Sequence, residues 1–344
     1  MNKPMLLFLI CSICFTMFSV NAEAQSQAKD KSEHDIGPFF LVANQGGRSL
    51  SVIDPSTAKQ VAVIAEEDIT GHEVAASPDG RTAYVPIYGN SGVGLPGTDG
   101  DHMLVIDLPS HKIVGRVNFG HGVRPHCVIY DHTNNLIYVT TELYNAVTIV
   151  DPRTLKVIGS IPTEQPQSHM LAISHDGLRG YTANVGPGTV SVLDMKARKT
   201  IAVIPVSKTI QRISISPDDR LVFTSDQTKP QLAVIDAGSN KLKTWVPLPA
   251  PGYGTASTRD GRWLLVALPS IQKVAVIDLN SLKVVRTIDT PRSPQEILIR
   301  PDGLTAYVSC NHDKQVAAID LRQWNIQSLI DAGAGADGLA WAGK

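Results

Sequence analysis

An all-β ring of seven four-stranded blades, a β-propeller, is the fold this sequence predicts, and three observations predict it. First, an aspartate ends an apolar strand seven times, at Asp54, Asp107, Asp151, Asp194, Asp236, Asp278 and Asp320. The successive gaps are 53, 44, 43, 42, 42 and 42 residues. A period near 42 with strand patterning is the size of one blade. Second, each unit carries the same punctuation. A turn such as "SPDG" (77–80), "SHDG" (174–177), "SPDD" (216–219) or "RPDG" (300–303) precedes a strand such as "TAYV" or "LIYV". Asp-Gly supplies the positive-φ residue of a tight hairpin. Third, the two ends are complementary. The propeller sequence starts at "PFFLVANQGGRSLSVID" with second and third strands but no first. It finishes with one unaccompanied first strand in "GADGLAWAGK". That strand completes the N-terminal blade, closes the ring and removes two exposed sheet edges.

In chain order, residues 1–24 read as a secretory signal peptide. A lysine precedes an apolar stretch from Met5 to Val20, and Ala22-Glu23-Ala24 supplies the small-x-small cleavage site. The apolar stretch is shorter than the ~20 residues a spanning helix needs. The expectation is export to a periplasm or the medium, with no stable membrane insertion after cleavage. Residues 25–37 are polar and aperiodic and read as a flexible lead-in; 38–344 is the propeller. Within each unit a first strand, the turn, a second strand, the "VID" strand and a last strand such as "KIVGRV" (112–117) follow one another. The long gap of 53 comes from an insertion, "YGNSGVGLPGTDGDHM" (88–103), between the second and third strands of blade two. A glycine-rich connection of this size commonly walls a site. Its Asp99, Asp101 and His102 are placed to reach the mouth of the axis.

The chain is 43% hydrophobic and 18% charged with a formal net charge of −1. That suits a globular core and leaves no basic footprint for nucleic acid. Without the leader only Cys127 and Cys310 remain. They fall in different repeats, so no disulfide is expected and the core and topology must hold the fold. No Cys-x-x-Cys-His occurs, which excludes covalently attached haem. No Gly-x-Ser-x-Gly elbow occurs either, which argues against a standard serine hydrolase.

The stretches "IYVTTELYNAVTIVDPRTLKVIGSI", "GYTANVGPGTVSVLD" and "AYVSCNHDKQVAAID" resemble the YVTN family of bacterial β-propellers across nearly the whole exported chain. The resemblance implies the fold. Its functional range is wide: lactonase-like enzymes, the haem d1 domain of nitrite reductases and many periplasmic proteins.

Aligning the repeats on the second-strand tyrosine exposes one informative column. Twelve residues earlier, at the start of the first strand, stand His72, His126, His169, Gln211, Tyr253, Gln295 and, to within one residue, Asp337. First strands line the axis, so this column should ring the mouth of the channel. Three histidines on adjacent blades suit three readings. One is a polar funnel. One is a divalent transition-metal site (zinc, iron, manganese or copper) with an open fourth position. One is a metal-free small-molecule pocket in which a histidine is acid or base. Glu142 is the expected general base, and Arg124 and Tyr253 are the other residues expected to take part in catalysis, Tyr253 by orienting the substrate across the ring. Gln211, Arg212, Gln295, Asp101 and His102 are expected to bind substrate, the arginines by gripping a carboxylate or phosphate. The expected function is a metal-assisted hydrolase or lyase of small molecules, lactonase-like. The alternative is a non-catalytic periplasmic module that binds a protein or other ligand.

Overall fold

A computed structural model describes residues 38–66 and 69–343. The expected signal peptide at 1–24 and the expected lead-in at 25–37 lie outside the described residues. The propeller unit contains seven sheets of antiparallel strands, and the C-terminal strand Ala336–Ala342 pairs with Phe39–Asn44 to complete blade one. Blade one continues with Ser49–Asp54 and Lys59–Ala65. Blades three to seven occupy 125–162, 168–205, 213–247, 255–289 and 294–331.

The seven repeated aspartates have a shared physical task. Each ends a third strand and accepts a backbone N–H two or three residues on: Ser56 N–H to Asp54 at 2.8 Å, Arg153 N–H to Asp151 at 2.9 Å, Ala197 N–H to Asp194 at 2.8 Å. The carboxylate thereby replaces a backbone acceptor and tightens the turn. In every blade the fourth residue after the aspartate then adopts a left-handed conformation, at Ala58, His111, Leu155, Arg198, Asn240, Leu282 and Trp324, each with φ between 52° and 60°. The Asp-Gly turns behave as the sequence predicts, with φ of 70°, 69° and 71° at Gly80, Gly177 and Gly303. Blade five puts Asp219 there at φ 58°. The strain is offset by its carboxylate, which accepts from the His175 backbone N–H at 3.0 Å and contacts His175 Nδ1 at 2.7 Å, latching blades four and five.

Alternate side chains of each strand enter opposite inter-blade layers. Ile137 and Val139 pack towards blade two with Tyr84 and Met103, while Val147 and Ile149 pack towards Val190 and Val192 of blade four. Each fully buried aliphatic side chain contributes about 1.5–3 kcal/mol. Cys127 and Cys310 are buried and free.

Blade two departs from the regular plan. Its first strand is broken into Thr70–Gly71 and Ala75–Ala76, leaving His72, Glu73 and Val74 between the pieces. Its second and third strands, Thr82–Gly89 and Asp99–Asp107, are lengthened to carry the insertion.

Candidate functional site at the mouth of the axis

The strand registers fix the informative column. Tyr84, Tyr138, Tyr181, Phe223, Leu265, Tyr307 and Leu41 lie opposite Ala75, Ile129, Ala172, Ser214, Ala256, Leu298 and Ala340. Three residues before each of these comes the column, so Asp337 belongs to it. A β-bulge sits at this level. The register slips across His126 and Cys127, across His169, across Gln295 and Glu296, and across Asp337 and Gly338. A bulge turns consecutive side chains towards one side of a strand. The mouth therefore has two stacked tiers, the column itself and the residue after it. Hydroxyls of second strands receive the N–H groups that the bulges free. Cys127 N–H donates to Thr140 Oγ1 at 2.9 Å, and Glu296 N–H to Ser309 Oγ at 3.0 Å.

The three histidines meet. His126 and His169 stack with ring centroids 3.5 Å apart, and His72 Nδ1 lies 3.3 Å from His126 Nε2. Glu142 joins them from the turn after the second strand of blade three. Its Oε2 accepts from the Tyr88 hydroxyl at 2.8 Å and lies 3.3 Å from His169 Nδ1. His126, His169 and Glu142 are only 1%, 2% and 1% exposed. Tyr88 itself is the root of the insertion, and its ring stands edge-on to His126 and His169.

Two glutamines fix the protons. Gln211 Oε1 accepts from Gln227, so its amide nitrogen faces His169 Nε2, at 3.0 Å. An amide nitrogen only donates, so His169 Nε2 accepts and the ring proton sits on Nδ1, donated to Glu142. At the other end the Gln45 amide nitrogen donates to His72 Nε2 at 3.1 Å. His72 then donates from Nδ1 to His126 Nε2, and neutral His126 carries its proton on Nδ1. Burial lowers all three imidazole pKa values, that of His72 to about 3, and so favours the uncharged rings, while the hydrogen bond and charge of Glu142 pull His169 the other way. Burial pushes Glu142 up, but the hydrogen bond and electrostatic pull of His169, the Tyr88 hydrogen bond and the charge of Arg124 outweigh it. The carboxylate is held below its usual range. Three buried atoms of the mouth have no partner by hydrogen-bond geometry, Glu142 Oε1, His126 Nδ1 and, from the tier below, Arg212 Nε. His126 also feels the nearby His169 backbone, which raises its pKa against burial.

Beneath the histidines a single guanidinium crosses the axis. Arg212 of blade five bonds Glu73 of blade two and Glu296 of blade seven through Nη1, both at 2.5 Å. Through Nη2 it bonds Asp337 of blade one at 2.6 Å. Blades two and five are three steps of roughly 51° apart, so the contact spans the channel. Burial raises the pKa of Glu73, Glu296 and Asp337 against the opposing pull of Arg212. Gly338 admits this packing: a Cβ there would fall 2.7 Å from Glu73 Cα.

Several expected roles change. Arg212 has both terminal nitrogens taken by the protein's own carboxylates, so it is no open anion clamp. Arg124 is likewise engaged. It donates to Asp99 at 2.5 Å, Gly92 O at 3.2 Å, Ser91 Oγ at 3.0 Å and Leu95 O at 2.6 Å, and so pins the insertion. The pinned loop reaches blade four, where a Cβ on Gly94 would meet the Gln167 amide at 2.6 Å. It thus roofs the histidine blades. The Tyr253 ring lies 5.1 Å from the Arg212 guanidinium; burial pushes its hydroxyl up to about 12. Gln211 orients His169, Gln295 donates to Ser293 at 3.0 Å, and Asp101 pairs with His102 at 2.7 Å. Among the described residues no three His, Cys, Asp or Glu side chains present donors grouped to hold an ion. Sequence reasoning did not reach Tyr88, Gln45 or Glu296. Glu296 carried a signal, a lone carboxylate in the apolar strand "PQEILI".

No family model and no curated protein sequence matches the chain. Solved structures do. A chain of Kuenenia stuttgartiensis hydrazine synthase aligns with a TM-score of 0.71 at 18% identity, over 81% of this chain and 91% of that one. A functionally unknown protein from Desulfotomaculum acetoxidans gives 0.72 at 14%, over 88% and 98%. Dihydro-heme d1 dehydrogenase NirN in complex with DHE gives 0.64 at 14%, over 88% and 74%. At these identities the likeness shows the propeller fold.

Proposed function

We propose that the mouth site is that of a small-molecule hydrolase or lyase acting at a carbonyl group, lactonase-like as the YVTN resemblance implies, and working on the exported side of the membrane. One observation carries it: Glu142 is buried, with Oε2 locked by Tyr88 and His169 while Oε1 is left without a protein partner. A positioned carboxylate with one free oxygen is a general base. In hydrolysis, water gives its proton to Glu142 Oε1 as its oxygen adds to the carbonyl carbon. His126 Nδ1–H donates to the carbonyl oxygen as charge develops there. The ring C–O bond then breaks, and the proton on Glu142 passes to the leaving oxygen.

A metal-assisted form is the second reading. His72 Nδ1 and His126 Nε2 are 3.3 Å apart. Two nitrogens on one tetrahedral ion at 2.0–2.1 Å stand about 3.3 Å apart as well. An ion there would polarise the carbonyl and acidify water. Metal analysis of the purified protein, paired with a hydrolysis assay on a panel of lactones, separates the readings. Metal-free protein that hydrolyses lactones supports the acid–base form. Activity that tracks stoichiometric metal supports the second. A protein inert towards every lactone and free of metal supports a binding or scaffold propeller, in keeping with the closed roof.

A further inference from the structure

Away from the axis, a cavity of about 520 Å³ opens between the outer strands of blades two and three. Asn118 and Phe119 line it where the last strand of blade two ends. Blade three supplies Tyr144, Ala146, Thr148 and Ser160. The repeat shows that residue choice builds this cavity. Ser160 pairs across the strands with Thr148. The equivalent places in the other blades hold Val63, Arg116, Val203, Trp245, Thr287 and Leu329, all larger. Tyr144 is the third residue of its turn, where blades one, six and seven place Gly47, Ile271 and Asp313. Phe119 follows the last strand of blade two, where blades three, four and five continue with Thr163, Val206 and Leu248. Two aromatic rings and a small floor thus coincide at this one interface, and a cavity of this size is that of a small-molecule site.

Every lining residue is uncharged. Tyr144 is 47% exposed, and its ring stands edge-on to His121 at 4.9 Å, which steadies it. The polar groups of the lining have defined roles. A hydroxyl donates one proton. Thr141 Oγ1 gives its proton to Ala146 O at 3.1 Å. At the 2.9 Å contact between the two threonines it is therefore Thr148 that donates, and Thr148 Oγ1 is left as an acceptor. Asn118 Oδ1 accepts from Gly120 N–H at 2.6 Å, which leaves its amide nitrogen to donate. The Ser160 hydroxyl can do either. We propose that this cavity binds an uncharged pyranose, with a C–H face of the sugar on the Tyr144 ring and its hydroxyls on Asn118, Thr148 and Ser160. A sugar ring is apolar on its faces and carries donors and acceptors around its edge, which is the division the lining presents. The proposal does not rest on the hydrolase reading above.

The test is saturation-transfer NMR titration of the wild-type protein with methyl β-glucoside, methyl β-galactoside and methyl α-mannoside, beside cyclohexanol and glucuronate. At least one pyranoside is expected to bind with a Kd below about 10 mM. Cyclohexanol, which lacks most of the hydroxyls, and glucuronate, which adds a charge, should each bind about tenfold more weakly or worse. Tyr144→Ala removes the aromatic platform and should weaken the pyranoside about tenfold. Ser160→Val puts into blade three the residue that blades one and four already carry there, so it should melt like the wild type while closing the cavity with a similar loss. Tighter binding of cellotetraose than of methyl β-glucoside marks a sugar chain as the source and equal binding a free sugar; both support the site. Absence of pyranoside binding up to about 100 mM overturns the proposal. So does binding that both variants leave unchanged, or cyclohexanol or glucuronate binding as tightly as the pyranoside.

Discussion

Tyr88 and Glu142 show how single residues set the chemistry of the mouth. The Tyr88 hydroxyl and His169 Nδ1–H both stabilise Oε2 of Glu142, fixing which oxygen is free. Tyr88→Phe removes one of these bonds without changing packing. It is expected to lower kcat for lactone hydrolysis about tenfold, with KM little changed, since a hydrogen bond to a charged group is worth about 1.5–3 kcal/mol. Steady-state kinetics check this. The histidines and Glu142 were legible in the sequence because each repeats or flanks a position that the 42-residue period defines. Tyr88 was not, since it reaches the site as the root of an insertion that breaks the period. The arginines were misread for another reason. Their charge is visible in sequence, but the carboxylates that neutralise Arg212 come from three other blades.

At the scale of the element, the bulged first strand makes the site. By turning two consecutive residues inward it converts one ring of the mouth into two tiers. Thr140 holds that bulge: it receives Cys127 N–H and donates to His169 O at 2.8 Å. Thr140→Val is expected to cost about 1–3 kcal/mol by stranding buried backbone groups, read as a lowered midpoint in urea. The alternation of strands and the Asp-turns predicted the blades, whereas bulges leave no mark in a hydrophobic pattern. The connection from blade one to blade two carries a second testable group. Glu66 is buried and accepts from Gly71 N–H at 2.7 Å, and burial raises its pKa from 4.5 to about 7. The folded state therefore binds its proton more tightly than the unfolded chain does. Its contribution is full below about pH 4.5 and is lost as pH rises through about 7. Glu66→Gln should flatten the stability-versus-pH curve across that window in denaturant melts. An unchanged slope contradicts the assignment.

Across the whole molecule, closure operates twice. The strand Ala336–Ala342 closes the sheet of blade one, and Arg212 ties blades one, two, five and seven across the axis. Strand closure was legible from the complementary ends of the chain. The ionic tie was not, because no local spacing relates residues 73, 212, 296 and 337. Arg212→Met leaves three buried carboxyls without a counter-charge and is expected to cost about 3–5 kcal/mol. Adding Glu73→Gln and Glu296→Gln to that variant should recover part of the loss, as followed by thermal melting.

The central claim is that Glu142, freed at Oε1 and locked at Oε2, is the base of a hydrolytic site. Its most direct test is kcat for an uncharged lactone in the wild type and in Glu142→Gln, with melting temperatures measured alongside. The account predicts measurable turnover by the wild type and a loss of about 10²–10⁴-fold in a variant that melts like it. A variant that turns over lactone as fast as the wild type, or a wild type inert towards every uncharged lactone, contradicts it.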